Sequence, residues 1–550
     1  MTPAAADVQA SFCRRVVDTW KVLGVETAML APGSRSTPMA VALMAAGLRI
    51  DVFLDERSAA FAALGHGVAT GRPAVVLCTS GTAATHFHAA VVEASLSGVP
   101  MIVVTADRPP ESRDVGAAQT IDQTRLFGTA PRWFHDPGVA EWSARDSWGS
   151  LAAHVVTMAT GLDPGPVHLN LPFREPLLGT PVDVDDRHRP TLVGRPRLDD
   201  GLVDEIDRLL VGSGVVVAGR GCGRPELVNA LAERLGWPVV ADARAGVAGV
   251  RHFDSLLRSD FGAGLRPDVV LRLGEPPASK VLSQWISASG ARQIHVSARP
   301  VYFDPDHRVA HHVVADPDSL LPGLATGRVD GGSWRHKWIV ADERAAGVID
   351  ERLRSAFPSG PAVARTLAEH LGPESRLVVS SSMPIRDLEW FGGRVSATVH
   401  ANRGANGIDG VLATAIGAAR ADGRPTFVLL GDVAFAHDAS SLAGLARRGL
   451  DIRIVVVDND GGGIFHFLPQ ASQLPATDFE LLFGTPHGTD VVAVAEGFGV
   501  RARRTESRDD FLAAIGETGP SVIVVPTDRR ADLELHAELH RLVGVASDPR

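Results

Sequence analysis

Lysine is almost missing from this chain: only Lys21, Lys280 and Lys337 occur among 550 residues. Arginine carries nearly all the positive charge, so an arginine alone says little about function. The formal net charge is -10 and the pI about 6.1. That balance excludes a general nucleic-acid binder, which needs a basic surface. Cysteine is scarce too. Cys13, Cys78 and Cys222 are odd in number and lack metal-ligand spacing. They exclude a disulfide framework and fit a reducing, cytoplasmic setting. No apolar run approaches the roughly 18 residues of a membrane span. Residues 1–9 carry an acid and no apolar core, so they do not read as a secretory signal.

What is present is an ordinary globular composition, 45% hydrophobic, long enough for three or four domains. Short β-rich runs alternate with helix-length segments, the pattern of parallel βα units. The first set is 27–33, 50–55, 74–80, 101–106 and 167–171. The second is 215–219, 239–243, 269–273, 293–297 and 312–315. The third is 377–381, 398–401, 426–430, 453–458 and 522–526. About five strands in each set predict three α/β domains with doubly wound parallel sheets, over 1–180, 190–330 and 345–550. The stretch 172–197, rich in Pro, Asp and Arg, and the Gly-rich 326–334 read as linkers.

One pair of motifs carries chemistry. Gly431-Asp432-Val433-Ala434-Phe435 follows an apolar strand, and Asn459-Asp460-Gly461-Gly462-Gly463 ends the next one. In an open parallel sheet, ligands bind at the carboxyl ends of strands, so Asp432 and Asn459 can reach one ion there. A hard cation takes carboxylate, amide, backbone and phosphate oxygens. The neighbouring glycines leave room for a diphosphate. Two ordinary βα turns would also contain Asp and Gly.

This spacing, and three α/β units with the motif in the last, resemble the thiamine-diphosphate enzymes across nearly the whole chain. The resemblance implies a pyrimidine-binding domain first, a middle domain second and a diphosphate- and metal-binding domain third. It implies Mg2+ (or Mn2+) on Asp432, Asn459 and the Gly461 carbonyl. Gly431, Val433, Ala434, Ile464 and Phe465 would line the cofactor. The family needs a Glu against the aminopyrimidine, and Asp51-Val-Phe-Leu-Asp-Glu56 supplies Glu56, whose plainer reading is a helix-start acid. A buried Glu has a raised pKa, which suits proton sharing near neutrality. In this family that Glu and the metal site meet from different subunits. A homodimer is then the smallest complete enzyme, with a homotetramer expected.

Further segments resemble one branch, the carboligases of menaquinone biosynthesis. These are Ala31-Pro-Gly-Ser-Arg-Ser-Thr-Pro38, Thr105-Ala-Asp-Arg-Pro-Pro110, Ser380-Ser-Ser-Met-Pro-Ile-Arg386 and Arg403-Gly-Ala-Asn-Gly-Ile-Asp-Gly410. The branch implies decarboxylation of 2-oxoglutarate and conjugate addition of the carbanion equivalent to isochorismate. Both substrates are dicarboxylates, and Arg binds carboxylates in a bidentate way that Lys cannot copy. Ser34, Arg35, Arg108 and Gln119 would face isochorismate. Ser382, Arg386 and Arg403 would hold carboxylates derived from oxoglutarate. Ile464 and Phe465 would pack near the reacting carbon, and Lys280 would join from the middle domain. Glu56, Arg35, Arg386 and Arg403 are the candidate catalytic residues.

The chain departs from the branch at His86, Ala434 and Asp460, where relatives carry Asn, Ser and Asn. These changes bear on the grip on the diphosphate rather than on the reaction. Gly219-Arg-Gly-Cys-Gly-Arg224 departs from the dinucleotide fingerprint. His311/His312 and His86/His88 lack a third ligand at metal spacing. His437 and His466 lie near the expected diphosphate site without a defined role. Three other readings stay open: a different superfamily member such as an acetohydroxyacid synthase, a silent metabolite-binding relative, and a nicotinamide dehydrogenase built on the Gly219 loop.

Overall fold

Three parallel sheets organise the chain, and the computed structural model describes residues 3–184, 198–327 and 332–548. The linker readings at 185–197 and 328–331 lie outside the described residues. The first sheet contains β1 (Thr27–Leu30), β2 (Arg49–Val52), β3 (Ala74–Cys78), β4 (Met101–Asp107), β5 (Trp133–His135) and β6 (Pro166–Pro172). The middle sheet contains β7 (Gly214–Ala218), β8 (Val239–Ala241), β9 (Val269–Leu273), β10 (Arg292–Ser297) and β11 (Val309–Val314). The third contains β12 (Arg376–Val379), β13 (Thr398–His400), β14 (Thr426–Gly431), β15 (Ile452–Asp458), β16 (Arg501–Arg504) and β17 (Ser521–Pro526).

The first sheet runs β2-β1-β3-β4-β6-β5 and the third β13-β12-β14-β15-β17-β16, one strand order used twice. The middle sheet runs β11-β10-β9-β7-β8. Strands such as Ala-Val-Val-Leu-Cys (β3) are buried along their whole length. Helices cover both faces of a parallel sheet, so its strands read as unbroken apolar runs. Two strands were not expected: the outer sheets have six strands each, not five. The additions are edge strands without an apolar run. β5 has three half-buried residues, and β16 is Arg-Ala-Arg-Arg with three of four exposed. Charge on an edge strand blocks further pairing.

The chain order reverses between β1 and β3, between β7 and β9, and between β12 and β14. Such points open a crevice at the carboxyl ends of the strands. In the middle sheet that crevice is filled by its own loops. A Cβ on Gly219 would lie 1.7 Å from the Glu275 carbonyl oxygen, and Arg220 pairs with Glu275 at 2.7 Å.

The outer sheets are joined through the helices Glu56–Thr70 and Val411–Asp422. A Cβ on Gly65 would lie 1.9 Å from the Thr414 carbonyl oxygen, and one on Gly417 1.9 Å from that of Ala62. The two backbones therefore touch. Phe61, Leu64, Leu412 and Ile416 are fully buried around this crossing in one continuous core, each worth roughly 1.5–3 kcal/mol of apolar burial. No helix among the described residues is long and apolar enough to cross a membrane.

Candidate active site

The third sheet forms one half of the site. Register pairs Gly431 of β14 with Val457 of β15, so the two strands end side by side. Asp432 then opens the helix Asp432–His437, and Asn459 opens the next loop. The two motifs touch: Asp432 Oδ2 accepts the Gly461 N–H at 2.8 Å, while Oδ1 accepts that of Val433 at 2.8 Å. Burial pushes the Asp432 carboxyl up, and the Gly461 and Val433 N–H groups oppose that shift.

Asn459 Oδ1 is buried without a hydrogen-bond partner, an acceptor that a cation would satisfy. Gly461 has φ +139°, and a Cβ there would lie 2.0 Å from the Gly484 carbonyl oxygen, so only glycine fits. The described residues hold no cluster of three His, Cys, Asp or Glu side chains suited to a metal. A cation here would use one carboxylate, one amide oxygen, a carbonyl and phosphate oxygens, a donor set that fits Mg2+ or Mn2+. Ala434 is buried in the core and Val433 half-buried. Ile464 and Phe465 are half-buried on the short helix Gly463–Phe467.

His487 was not expected here. Its Nε2 lies 3.3 Å from Asp432 Oδ2. Asp460 holds its loop, with Oδ1 accepting the His487 and Gly488 N–H groups at 2.9 and 2.8 Å. Asp460 sits at φ 55°, a left-handed conformation that Asp tolerates. That gives the Asp460 departure a local role.

The first sheet forms the other half. A cleft of about 480 Å³ is lined by Ser34, Arg35, Glu56, His86, Arg108, Gln119 and Glu175. Ser34 and Arg35 follow β1, Glu56 follows β2 and Arg108 follows β4. Asp55, not Glu56, caps the helix Glu56–Thr70, accepting the Arg57 N–H at 2.9 Å. Glu56, expected to be buried, is only half-buried and is left to line the cleft. The Nε atoms of Arg35 and Arg108 are buried without partners. Gln119 has φ 57°, held by a reciprocal pair: its Nε2 donates to the Ser80 carbonyl at 3.0 Å, and Ser80 Oγ donates to its carbonyl at 2.9 Å.

A second cationic group follows β12 and β13. Ser382 sits at φ 72°, a strained conformation of the kind found at functional sites. Its carbonyl accepts Arg386 Nη1 at 2.6 Å. Arg403 Nη1 donates to Ser381 Oγ at 3.3 Å. Burial lowers the pKa of both guanidiniums; Glu389 opposes this for each, and Arg244 adds to it for Arg403. Glu389 is itself buried and pushed up to about 8, first by burial and then by Asp242. Its Oε1 accepts the Ala278 N–H at 3.3 Å. That bond brings the segment ending in Lys280 against the Arg386 helix, with Lys280 exposed at the start of Lys280–Ser289.

Glu93 was also missed. This buried acid of the helix His88–Ser97 accepts the N–H groups of Gly404, Ala405 and Asn406 at 2.9, 2.7 and 2.9 Å. It fixes the Arg403 loop from the other sheet. A lone acid in His-Ala-Ala-Val-Val-Glu-Ala-Ser-Leu-Ser was the available signal. His437 and His466 have local partners: His437 Nδ1 lies 3.1 Å from Arg57 Nη1, and His466 Nε2 lies 3.6 Å from Glu480.

Three domain families match in chain order. They are the thiamine pyrophosphate enzyme N-terminal TPP binding domain over 12–126, the middle domain of thiamine pyrophosphate over 200–379, and the C-terminal TPP binding domain over 394–525. A solved benzoylformate decarboxylase from Polynucleobacter necessarius has the same fold, with TM-score 0.76 and 19% identity over 94% of this chain and 99% of that one. These define a thiamine pyrophosphate-dependent enzyme of three α/β domains. Relatives from Rubrobacter xylanophilus and Halobacterium salinarum are 40% and 38% identical, each over 96% of this chain and 97% of the relative. One from Myxococcus xanthus is 37% identical over 97% of both. All three are 2-succinyl-5-enolpyruvyl-6-hydroxy-3-cyclohexene-1-carboxylate synthases, and this chain belongs to their family.

Proposed function

We propose that the chain decarboxylates 2-oxoglutarate and joins the remaining four-carbon unit to isochorismate by conjugate addition, in menaquinone biosynthesis. The observation that carries this reading is the cleft uniting Glu56 with Arg35, Arg108 and Gln119, in a chain of this family. Bound thiamine diphosphate supplies the carbanion chemistry. Asp432, Asn459 and the Gly461 carbonyl would hold its metal. Gly431, Val433, Ala434, Ile464 and Phe465 would flank the cofactor. Glu56 would hold a proton against the aminopyrimidine ring; the protein's part is to orient the ring and keep that proton in place.

The arginines divide the substrates. Arg386 and Arg403, with Ser382 and Lys280, would bind the carboxylates of the 2-oxo acid. Arg35 and Arg108, with Ser34 and Gln119, would bind those of the acceptor. In a water-poor site a guanidinium–carboxylate pair is short, directional and about twice as strong as a neutral hydrogen bond. Two separate cationic groups suit two dicarboxylates better than the smaller substrates of other superfamily members.

The functional unit in this reading is a homodimer at least. The residues lining the Glu56 cleft all come from the first-sheet half of the chain, so a second copy would bring its third-sheet motifs to them. We further assign domains to 1–180, 190–330 and 345–550, and the cytoplasm as the compartment. All three cysteines are free and buried, which suits a reducing setting.

The test is carbon dioxide release from 2-oxoglutarate with thiamine diphosphate and Mg2+, with and without isochorismate. Fast release only with isochorismate, matched by loss of isochorismate absorbance, is expected. Equal release in both would overturn the synthase reading in favour of a plain decarboxylase.

A further inference from the structure

The guanidinium of Arg35 already carries a carboxylate. Its Nη2 donates to Glu175 Oε1 at 2.9 Å and its Nη1 to the Phe173 carbonyl at 3.0 Å. The partners differ sharply in exposure: the Arg35 side chain is 7% exposed and that of Glu175 73%. The chain beneath Glu175 is fixed. Gln9 Nε2 donates to the Arg174 carbonyl at 2.8 Å, and Gln9 Oε1 accepts the Arg174 N–H at 2.6 Å. The Arg174 guanidinium is forked onto both Glu111 oxygens at 2.6 and 2.9 Å. The Glu175 side chain, 73% exposed, has room to swing.

The contact is also incomplete. Nε and Nη2 form one edge of a guanidinium, which a carboxylate can take with both oxygens. Glu175 engages Nη2 alone, and Nε is buried without a partner. An untethered carboxylate can satisfy both donors, while Nη1 stays on the Phe173 carbonyl and keeps the group aimed. Charge points the same way. With Glu56 committed to the cofactor, Glu175 cancels one of the two cleft arginines until it leaves. Glu175 offers one oxygen to one donor, so a carboxylate that takes both donors of that edge can replace it.

We propose that Glu175 is a displaceable internal anion that sets the cleft's affinity for its dicarboxylate acceptor, by occupying the edge of Arg35 that a substrate carboxylate takes. The proposal rests on the assignment of Arg35 to the acceptor. The decisive experiment is steady-state kinetics of Glu175→Gln, with both substrates varied. The KM for isochorismate should fall by ~3–5-fold, about what an exposed pair is worth. The KM for 2-oxoglutarate, bound by other arginines, should move by less. Glu175→Ala should behave alike. An unchanged or raised isochorismate KM in both variants overturns the proposal. Arg35→Gln measured alongside separates the two ideas. It should raise the isochorismate KM and abolish the effect of a second Glu175→Gln change. An unaffected isochorismate KM in Arg35→Gln would overturn the assignment of Arg35 itself, and this proposal with it.

Discussion

After β2 the first sheet presents Glu56; after the equivalent β13 the third sheet presents Arg403. After β4 the first sheet presents Arg108; after the equivalent β15 the third presents Asn459. After β3 comes Ser80-Gly81, after β14 comes Asp432. One strand order thus delivers side chains to matching places, and at these three their chemistry differs. The first sheet makes a roomy cleft of long side chains, with a volume near 480 Å³. The third packs backbone groups tightly at its strand ends, where Gly461 excludes even a methyl group. Topology decides where a ligand sits; the residues at the strand ends decide what it is. The middle sheet shows the third outcome, a crevice closed by its own Arg220–Glu275 loops.

This contrast can be broken at several places. The largest effect is expected for Glu56→Gln on the side-chain side. Turnover should fall ~10²–10⁴-fold, the usual worth of a positioned proton-transfer group, with cofactor affinity within ~10-fold by calorimetry. Full activity in that variant would remove Glu56 from the chemistry. Asn459→Ala on the backbone side should behave oppositely. Binding of thiamine diphosphate with Mg2+ should weaken by at least the ~10–100-fold that losing a supporting group of a metal site costs. Saturating cofactor should restore much of the turnover. Next comes Arg403→Lys, which keeps the charge and loses the fork. The KM for 2-oxoglutarate should rise ~10-fold and that for isochorismate little; a reversed order would mean that the two arginine groups serve the opposite substrates. The smallest change is Glu93→Gln. It keeps one carbonyl acceptor under the Arg403 loop and loses charge-assisted bonds worth ~1.5–3 kcal/mol in total. A few-fold rise in the same KM should appear, with unfolding temperature lowered by a few degrees.

Much of this was legible in the chain. The buried strands announce themselves as apolar runs, and the Asp432 and Asn459 motifs sit at the ends of two of them. β5 and β16 were hidden because edge strands need no apolar run. The motif pointed to Glu56, but its plainer reading as a helix-start acid stayed open until the Arg57 N–H was seen on Asp55. Glu93, Glu175 and His487 were missed for another reason. Their partners are distant in sequence: Glu93 and Gly404 are 311 positions apart. A local pattern carries no record of such a contact. Nor does it record left-handed backbone at Gln119, Ser382 and Asp460, none of which is glycine.

The crossing of Gly65 over Thr414 and of Gly417 over Ala62 limits how the molecule can be recombined. Its first and third sheets resemble interchangeable cassettes, and a designer seeking new acceptors would want to swap one and keep the other. The seam between them leaves no space for a single added carbon at either glycine, so a cassette from a relative with a larger residue at either point would dock askew. Because Glu93 reaches across the same seam to the Arg403 loop, such a chimera would lose its grip on one substrate while the grafted half itself stayed intact.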